Sequence, residues 1–354
     1  MTTSVHIVSI GARTPLGLRA APGAAAYRAA ISAMRDHPFM VDSRGDPMSV
    51  ALDSQLDPKL MGAGRLLMLA VSALRECCAI FQEAPPLRNE RLPIFLGLPE
   101  IRPGFTNADV KVIQSELSNI NELPVDIADV RIFPDGHAAG LAALGAARND
   151  IQQGKLAMCL VGGVDSYFHP DTMEWLDENR QIVSAASRSG FVPGEGAAFC
   201  LLIGEHIRRK LNLKSLATVR SVAAAIETKL IKTTEVCIGA GLTAAVQNTV
   251  NGLTLPSERI NTVICDINGE RYRGEEWGFV CLRLPTYFDA PTAYWSPADC
   301  WGDMGAASGP LFAMLACQAT ARGYANGPRT MLWASSEGGL RTATLLDTTN
   351  QLTS

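Results

Sequence analysis

Residues 189–202 read SGFVPGEGAAFCLL, and this stretch decides the fold. It passes from glycine, proline and serine into an uncharged apolar run, GAAFCLLI (196–203), which is typical of a buried strand. Short apolar runs of this kind recur along the chain and alternate with amphipathic helical stretches. This alternation predicts a layered α/β protein.

The predicted strands are the short apolar runs. They cover 5–10, 92–98, 128–133, 156–163, 196–203, 217–226, 260–267, 278–285 and 329–336. Helical patterns lie near 20–35, 62–83, 138–153, 235–251 and 310–322. A charged stretch, EHIRRKLNLKS (205–215), divides the chain. We expect an N-terminal half at 1–210 and a C-terminal half at 211–354, which together form one compact unit.

The two halves repeat one pattern. GHAAG (136–140) opens a helix that leads to the strand LAMCLVGG (156–163), and GDMGAA (302–307) opens a helix that leads to RTMLWASSEGG (329–339). One unit used twice would place the two turns face to face. Two converging helix N-termini create a positive potential that suits an oxyanion or an acyl carbonyl.

Composition excludes several classes of protein. The net charge is −4 and no run of like charge exceeds RRK (208–210), so we expect no nucleic acid and no membrane as partner. The N-terminus enters a strand pattern directly, which predicts no signal peptide. Nine cysteines form no CxxC pair and five histidines lack ligand spacing. We therefore expect no metal, no cofactor and a reduced, cytoplasmic protein.

Four motifs together resemble the β-ketoacyl synthases of the thiolase superfamily. They are IVSIGARTPLG (7–17), AALGAARNDIQQGKLAMCLVGGVDSY (142–167), SGFVPGEGAAFCLL (189–202) and SSEGGLRTATLL (335–346). The resemblance implies a thiolase-like fold of five layers, α-β-α-β-α, with two similar halves and usually a dimer. It also implies that Phe191 and Glu195 support the fold, with Glu195 as an internal salt-bridge or backbone partner. Gly338 and Gly339 would belong to the loop that closes the active site.

The resemblance implies a degenerate catalytic site. Family members carry a Cys nucleophile at the helix N-terminus, where the backbone lowers the thiol pKa. Counting back from the Gly-Gly pair of the next strand places His137 at that position. The C-terminal half contains no histidine, and Asn268 and Asp303 occupy the expected positions of the other catalytic groups. A carboxylate at 303 would repel the enolate formed on decarboxylation.

His137 allows two interpretations. It is a repurposed base or nucleophile beside Asp135, or it is a helix-start histidine that hydrogen-bonds to Asp303 or to the backbone across the old pocket. A His–Asp contact could also activate a water for hydrolysis.

The stretch CDINGERYRGEEWG (265–278) also allows two interpretations. It is a solvated loop between two strands, or a patch for a protein partner formed by charged and aromatic side chains. The residues of that patch would be Arg271, Tyr272, Arg273 and Trp277. The stretch also bears a weaker resemblance to thiolase-like proteins associated with type VI secretion effectors.

Two functions follow from these observations. The first is a non-catalytic β-ketoacyl synthase-like scaffold, adaptor or co-chaperone, with loading of type VI secretion effectors as one role. The second lies in acyl metabolism, as a divergent synthase or acyltransferase, or as a Cys-less partner subunit that resembles a chain-length factor. Both predict a protein partner and a homodimer or heterodimer.

Overall fold

A computed structural model describes residues 3–83, 91–184, 187–231 and 233–348. Most of the predicted strands are found, with bounds that differ by a few residues. In chain order the strands are β1 (Val5–Arg13), β2 (Arg35–Val41), β3 (Pro47–Val50), β4 (Arg91–Gly97), β5 (Asp126–Phe133), β6 (Met158–Ser166), β7 (Glu195–Gly204), β8 (Ala217–Ile226), β9 (Thr262–Cys265), β10 (Arg329–Ser335) and β11 (Leu340–Asp347).

The helices lie mainly between the strands of each half. They are α1 (Ala20–Arg28), α2 (Gly62–Cys78), α3 (Ile80–Glu83), α4 (Asn107–Ser118), α5 (Ala139–Gln152), α6 (Pro170–Glu178), α7 (Glu205–Lys210), α8 (Ala240–Val250), α9 (Arg271–Arg283), α10 (Ala298–Trp301) and α11 (Ser308–Ala321). Within the described ranges, no helix has both the length and the apolar character needed to cross a membrane.

Nine strands form one sheet made of two parts. Their order is β5-β4-β6-β7-β1-β8-β11-β10-β9. The parts meet where β1 pairs briefly with β8, through His6 with Thr218 and Ile7 with Ala217. Strands β4, β5 and β6 are parallel to one another, as are β9 and β10, while β7 and β11 are antiparallel to their neighbours. Strands β2 and β3 form a separate hairpin.

Helices arrange these strands into five layers. Helices α5 and α11 pack between the two parts of the sheet and contact strands of both. Twelve of the 14 residues of α11 are buried, because a helix in a central layer is covered on all sides. Helices α2 and α4 cover the outer face of the first part, and α8 and α9 cover that of the second. The predicted α-β-α-β-α fold is confirmed.

The repeated unit seen in the sequence is present twice. A 3-10 turn, Gly136–Ala138, precedes the 14 residues of α5, and a second 3-10 turn, Gly305–Ala307, precedes the 14 residues of α11. The two turns contact each other. The middle layer therefore brings together side chains that lie far apart in the sequence. The division into halves at residue 210 stays a prediction.

The strand predicted at 278–285 is wrong, and so is the loop predicted before it. Residues 271–283 form the single helix α9. Its buried residues recur at helical spacing and face the sheet; they are Tyr272, Arg273, Glu276, Trp277 and Val280. A buried helix face is normally recognised in a sequence by the spacing of its apolar residues. Arg273 and Glu276 lie on the buried face of α9, so its apolar residues alone do not show the helical period.

Candidate functional site

His137 lies in the 3-10 turn that joins β5 to α5. Gly136 adopts φ +67°, a left-handed conformation that favours glycine, and this lets the chain reverse just before the histidine. The next residue, Ala138, donates its backbone N–H to Ser336 Oγ at 2.9 Å. His137 itself is only 7% exposed. The imidazole is therefore held inside the protein, with its turn tied to the end of β10.

Asp303 meets His137 from the opposite turn. His137 Nε2 lies 2.8 Å from Asp303 Oδ1 and 3.0 Å from Oδ2. Asn268 Nδ2 donates to Oδ2 at 2.5 Å, and Tyr167 Oη donates to Oδ1 at 2.9 Å. The backbone N–H of Gly305 adds a further bond of 2.8 Å to Oδ1. The structure thus brings together the three residues at the expected catalytic positions.

The motif at 189–202 holds Asp303 in place. Asp303 donates its backbone N–H to Val192 O at 2.7 Å, and Gly194 donates its own to Asp303 O at 2.9 Å. A Cβ at Gly194 would lie 2.6 Å from Trp301 O and 2.7 Å from Asp303 O. Glycine is needed here because the two backbones approach too closely for a side chain. The stretch that decides the fold also positions the site.

Arg273 of α9 fills the remaining space beside His137. The guanidinium Nη2 lies 3.1 Å from His137 Nε2, and Nη1 donates to Asp266 and, at 2.7 Å, to Ser335 O. Its Nε donates to Glu270 Oε2 at 3.1 Å. The side chain of Arg273 is fully buried. A buried cation beside His137 is thus balanced by two carboxylates.

The neighbouring charges shift the pKa of His137 and of Asp303. Burial and the Arg273 guanidinium both act to lower the pKa of His137, but the Asp303 carboxylate and its hydrogen bond outweigh them and raise that pKa above its ordinary value. Burial acts to raise the pKa of Asp303, yet His137 and Arg273 hold it well below its ordinary range. Nε2 therefore carries a proton and donates it to Asp303, and its approach to Arg273 is a contact between two donors.

The hydrogen bonds and burial of three side chains bear on the chemistry of the site. A nucleophile needs a free lone pair, and His137 Nε2 offers none because it donates its proton to Asp303 Oδ1, 2.8 Å away. Asp303 places a buried carboxylate beside His137, and a carboxylate repels developing negative charge. Cys159, the nearest cysteine along the chain, is buried in β6, where burial raises its thiol pKa well above the ordinary value.

Sequence reasoning missed a second ion pair behind the site. Arg102 Nη2 donates to Asp165 Oδ1 at 2.6 Å, and its guanidinium lies 4.3 Å from the centre of the Tyr167 ring. Asp165 Oδ2 accepts the backbone N–H of Ala306 at 2.9 Å. One signal was present in the sequence: Asp165 and Tyr167 come at the end of a predicted strand, where functional side chains collect in α/β proteins.

The other residues expected in the pocket contact the rest of the fold. Glu195 accepts two hydrogen bonds from Arg65, at 2.6 and 2.7 Å, and is fully buried. Phe191 is buried with its ring centre 5.4 Å from that of Tyr167. Gly338 and Gly339 form the turn between β10 and β11, and Gly338 donates its N–H to a carboxylate oxygen of Glu100 at 2.9 Å. Asp135 is exposed, whereas His137 contacts Asp303.

Three of the four residues predicted to form a surface patch at α9 are buried. Arg271 is exposed, with 82% of its side chain accessible, but Tyr272, Arg273 and Trp277 are buried within this chain. Trp277 stacks on Trp333 with ring centres 5.4 Å apart. The helical period turns three of the four side chains toward the sheet and only Arg271 toward solvent. The interpretation as an exposed binding loop is therefore wrong.

One group of potential metal ligands lies among the described residues. The donor atoms of Glu227, Cys237 and Glu276 are within 4.8 Å of one another. Both carboxylate oxygens of Glu276, however, accept hydrogen bonds of 2.7 Å from Arg341. Glu227 accepts the backbone N–H of Gly241 at 2.8 Å. A metal ion would have to displace a buried ion pair, so we assign no metal site to these three residues.

Comparison with known proteins agrees with this fold. The family described as β-ketoacyl synthase, N-terminal domain, matches residues 136–206, a segment that begins one residue before His137. A search of curated proteins by sequence finds no match.

Solved structures match over almost the whole chain. One chain of a structure described as a type II PKS acyl-carrier protein in complex with its ketosynthase bound to the hexaketide superposes with a TM-score of 0.79 at 13% identity, covering 99% of this chain and 100% of that one. The ishigamide ketosynthase/chain length factor gives 0.78 at 16%, with 99% and 100% covered. A β-ketoacyl synthase from Burkholderia phymatum STM815 gives 0.74 at 18%, with 98% and 100% covered. The chain thus has the thiolase-like fold of the β-ketoacyl synthases, and its residues 136–206 match that family's N-terminal domain.

Proposed function

We propose that this protein is a non-catalytic β-ketoacyl synthase-like scaffold or adaptor, whose fold is kept for its surfaces. The observation that carries the proposal is the ion pair of His137 with Asp303, closed on its other side by Arg273. A condensing enzyme needs a nucleophile, an imidazole from the second half and room for an acyl group. Here His137 is paired with Asp303, and Arg273 is buried beside it.

The edge of the sheet offers a place for a second protein chain. Strand β5 is one of the two outermost strands of the sheet, the other being β9, and it pairs on one side with β4. An edge strand has free N–H and C=O groups that can pair with another strand. We propose that β5 pairs with a second thiolase-like chain, either a copy of this one or a related subunit. Light scattering at several concentrations tests whether the isolated chain is a dimer.

For the partner that the scaffold serves, we propose a secreted effector of the type VI system or the chaperone of such an effector. The support is the sequence resemblance at 265–278. The nine cysteines are all free, which fits a reducing, cytoplasmic compartment.

A second candidate is a non-catalytic subunit paired with an active synthase. The observation in its favour is the full-length similarity to a ketosynthase/chain length factor structure. Such a subunit would need contact with a synthase rather than a nucleophile of its own. A heterodimer through β5 would serve this function as well as a homodimer serves the first.

Intact-mass spectrometry after incubation with acyl-CoA and acyl-carrier donors tests the absence of catalysis. We expect no acyl adduct on the wild-type chain. His137→Cys is the matched variant, because it restores the nucleophile but leaves Asp303 and Arg273 in place; we expect it to remain free of adduct also. An adduct on the wild type that is lost in His137→Ala would refute the proposal.

Affinity purification from the native host separates the two candidates. Recovery of an effector or its chaperone without a synthase supports the adaptor. Recovery of a catalytic synthase or an acyl carrier supports the paired subunit and contradicts the adaptor.

A further inference from the structure

A cavity of 260 Å³ lies between β2 and the start of α6. We call it the hairpin cavity, because β2 belongs to the hairpin of β2 and β3. Its walls come from residues of β2, from the segment before α2 and from the residues that lead into α6. Its volume lies just below the roughly 300–1,000 Å³ of pockets that take drug-sized ligands. The hairpin cavity therefore has room for one small organic molecule.

The imidazole of His37 is held in one orientation in the wall of this cavity. Its Nδ1 accepts the backbone N–H groups of Phe39, at 3.1 Å, and Met40, at 3.0 Å. One face of the ring stacks on Phe168, with ring centres 5.0 Å apart. The Arg65 guanidinium lies 4.3 Å from the centre of the Phe168 ring and holds that ring in turn. The imidazole cannot rotate without losing both its hydrogen bonds and its stacking.

The other ring nitrogen of His37 is an unused donor. Burial, and less strongly the Arg65 guanidinium, lowers the pKa of His37 to about 4, so the ring is neutral near pH 7. Since Nδ1 accepts two N–H groups, the one ring proton is on Nε2. His37 is only 8% exposed, yet Nε2 donates to no described residue and keeps some accessible surface. Because the ring lines the hairpin cavity, a ligand there can accept this N–H.

His169 repeats this arrangement on another segment of the lining. It is the N-cap residue of α6, and its Nδ1 accepts the backbone N–H of Asp171 at 3.3 Å. In the neutral ring the proton is therefore on Nε2. This second N–H donates to nothing in the part of the chain that the structure describes. Two imidazoles of one cavity thus have their acceptor nitrogen occupied and their donor nitrogen free.

The charges of the lining favour an anion. Among its described residues, the ionisable side chains are those of His37, Lys59 and His169, and none is acidic. Lys59 is exposed, and its ammonium pairs with no described carboxylate. A carboxylate accepts several hydrogen bonds at once, and its bonds to N–H donors and to an ammonium are the strong, charge-assisted kind.

The rest of the lining is mainly apolar. Two phenyl rings, Phe39 and Phe168, and two thioethers, Met40 and Met61, belong to it. Phe39 is 68% exposed and Met61 is 41% exposed, so a ligand would remove apolar surface from water. Phenyl rings and methionine sulfur both make favourable contacts with an aromatic ring. This lining therefore suits an aromatic group better than an aliphatic chain.

We infer that the hairpin cavity binds a small aromatic carboxylic acid, whose carboxylate accepts from the imidazole N–H groups and pairs with Lys59. The aromatic group of the ligand would cover Phe39 and Met61. This inference goes beyond the proposed function and does not rest on it, since a scaffold and a paired subunit could each carry such a site.

The test uses the full-length chain and hydrocinnamate, a phenyl ring on a short carboxylic acid, with binding followed by ligand-observed NMR titration at pH 7. Hydrocinnamamide is the matched ligand, because it keeps the ring and the chain length and removes the charge. We expect it to bind about tenfold or more weakly, because it forms no charge-assisted bond. Equal binding of the two ligands, or no binding of the acid, would overturn the inference.

Two further ligands separate the carboxylate from the aromatic group. Hexanoate keeps the carboxylate and lacks the ring, so we expect it to bind about threefold or more weakly than hydrocinnamate. Inorganic phosphate should not displace hydrocinnamate at equal concentration. Hexanoate that binds as tightly as hydrocinnamate, or displacement by phosphate, contradicts an aromatic acid as the ligand.

Lys59→Met provides the first variant. It removes an exposed charge and keeps an apolar side chain of similar length, so we expect an unchanged Tm and binding of the acid about fivefold weaker. Lys111→Met, at an exposed position of α4 outside the cavity, is the matched control and should change neither. Equal effects of the two substitutions on binding would count against Lys59 as the partner of the carboxylate.

His37→Asn is the decisive variant. The asparagine Oδ1 can take the place of Nδ1 and accept the backbone N–H groups of Phe39 and Met40, while the Nε2 donor is lost. The readout is the preference for the acid over the amide, which a change in stability alone would not alter; we expect it to fall about fivefold. An unchanged preference refutes the assignment. The mass-spectrometric test of catalysis is independent, so the proposed function can stand if this site fails.

Discussion

Replacing Arg273 by leucine tests whether a buried guanidinium lies beside His137. The change removes the partner of Asp266 and Glu270, both of which are buried. Breaking a buried ion pair by removing one partner costs about 3–5 kcal/mol, because the remaining charge stays desolvated. Asp266 is the more vulnerable carboxylate, since burial already raises its pKa and its Oδ1 has no partner among the described residues.

The expected shift in melting temperature follows from chain length. An unfolding entropy of about 2.1 cal/mol/K per residue over 354 residues gives ~0.7 kcal/mol/K for the chain. The loss therefore corresponds to a fall in Tm of about 4–7 °C, measured by differential scanning fluorimetry or calorimetry.

Arg271→Leu is the matched control. Arg271 lies two positions away on the same helix and forms an exposed pair with Glu275. Such pairs contribute about 0.3–0.5 kcal/mol, so Tm should move by less than about 1 °C. Adding Asp266→Asn to Arg273→Leu should recover part of the lost stability, because it removes one stranded charge. Equal shifts for Arg271→Leu and Arg273→Leu would refute the burial of the guanidinium.

Three further predictions concern stability and reactivity. The pKa of His137 is raised, so this group contributes stability that is present below its ordinary pKa of 6.5 and is lost as pH rises through the folded value. The pKa of Asp303 is lowered, so this group contributes stability that is present above 3.8 and is lost as pH falls through the folded value. Tm should therefore decline from pH 6.5 upward in the wild type, and Asp303→Asn should flatten that decline; a steeper decline would contradict the pair. In the native protein a thiol reagent should label half-buried Cys237, whose pKa burial raises to about 11, before fully buried Cys159, with mapped adducts as the readout. Gly194→Ala should lower Tm by about 1–4 °C, because its Cβ would lie 2.6 Å from a backbone oxygen; an unchanged Tm would mean that the two backbones separate freely.

Much of the fold follows from local sequence. Strand β7 is an apolar run of buried residues, and turns at Gly136 and Gly305 precede two helices of equal length. Such features depend on neighbours along the chain, so their patterns are visible without the structure. The position of His137 and the lack of any histidine beyond residue 206 were readable for the same reason.

The site itself was decided by tertiary structure. His137 and Asp303 are 166 residues apart, and they meet because α5 and α11 share the middle layer. In the sequence, Arg273 is one of several charged residues in the polar stretch 265–278. Only the packing of α9 on the sheet turns it inward, where Asp266 and Glu270 offset the cost of burying it. The sequence alone determined that His137, Asn268 and Asp303 stand where the resemblance predicts catalytic groups. The packing of distant helices determined that His137 and Asp303 bind one another, since ion pairing depends on distance in space and not along the chain.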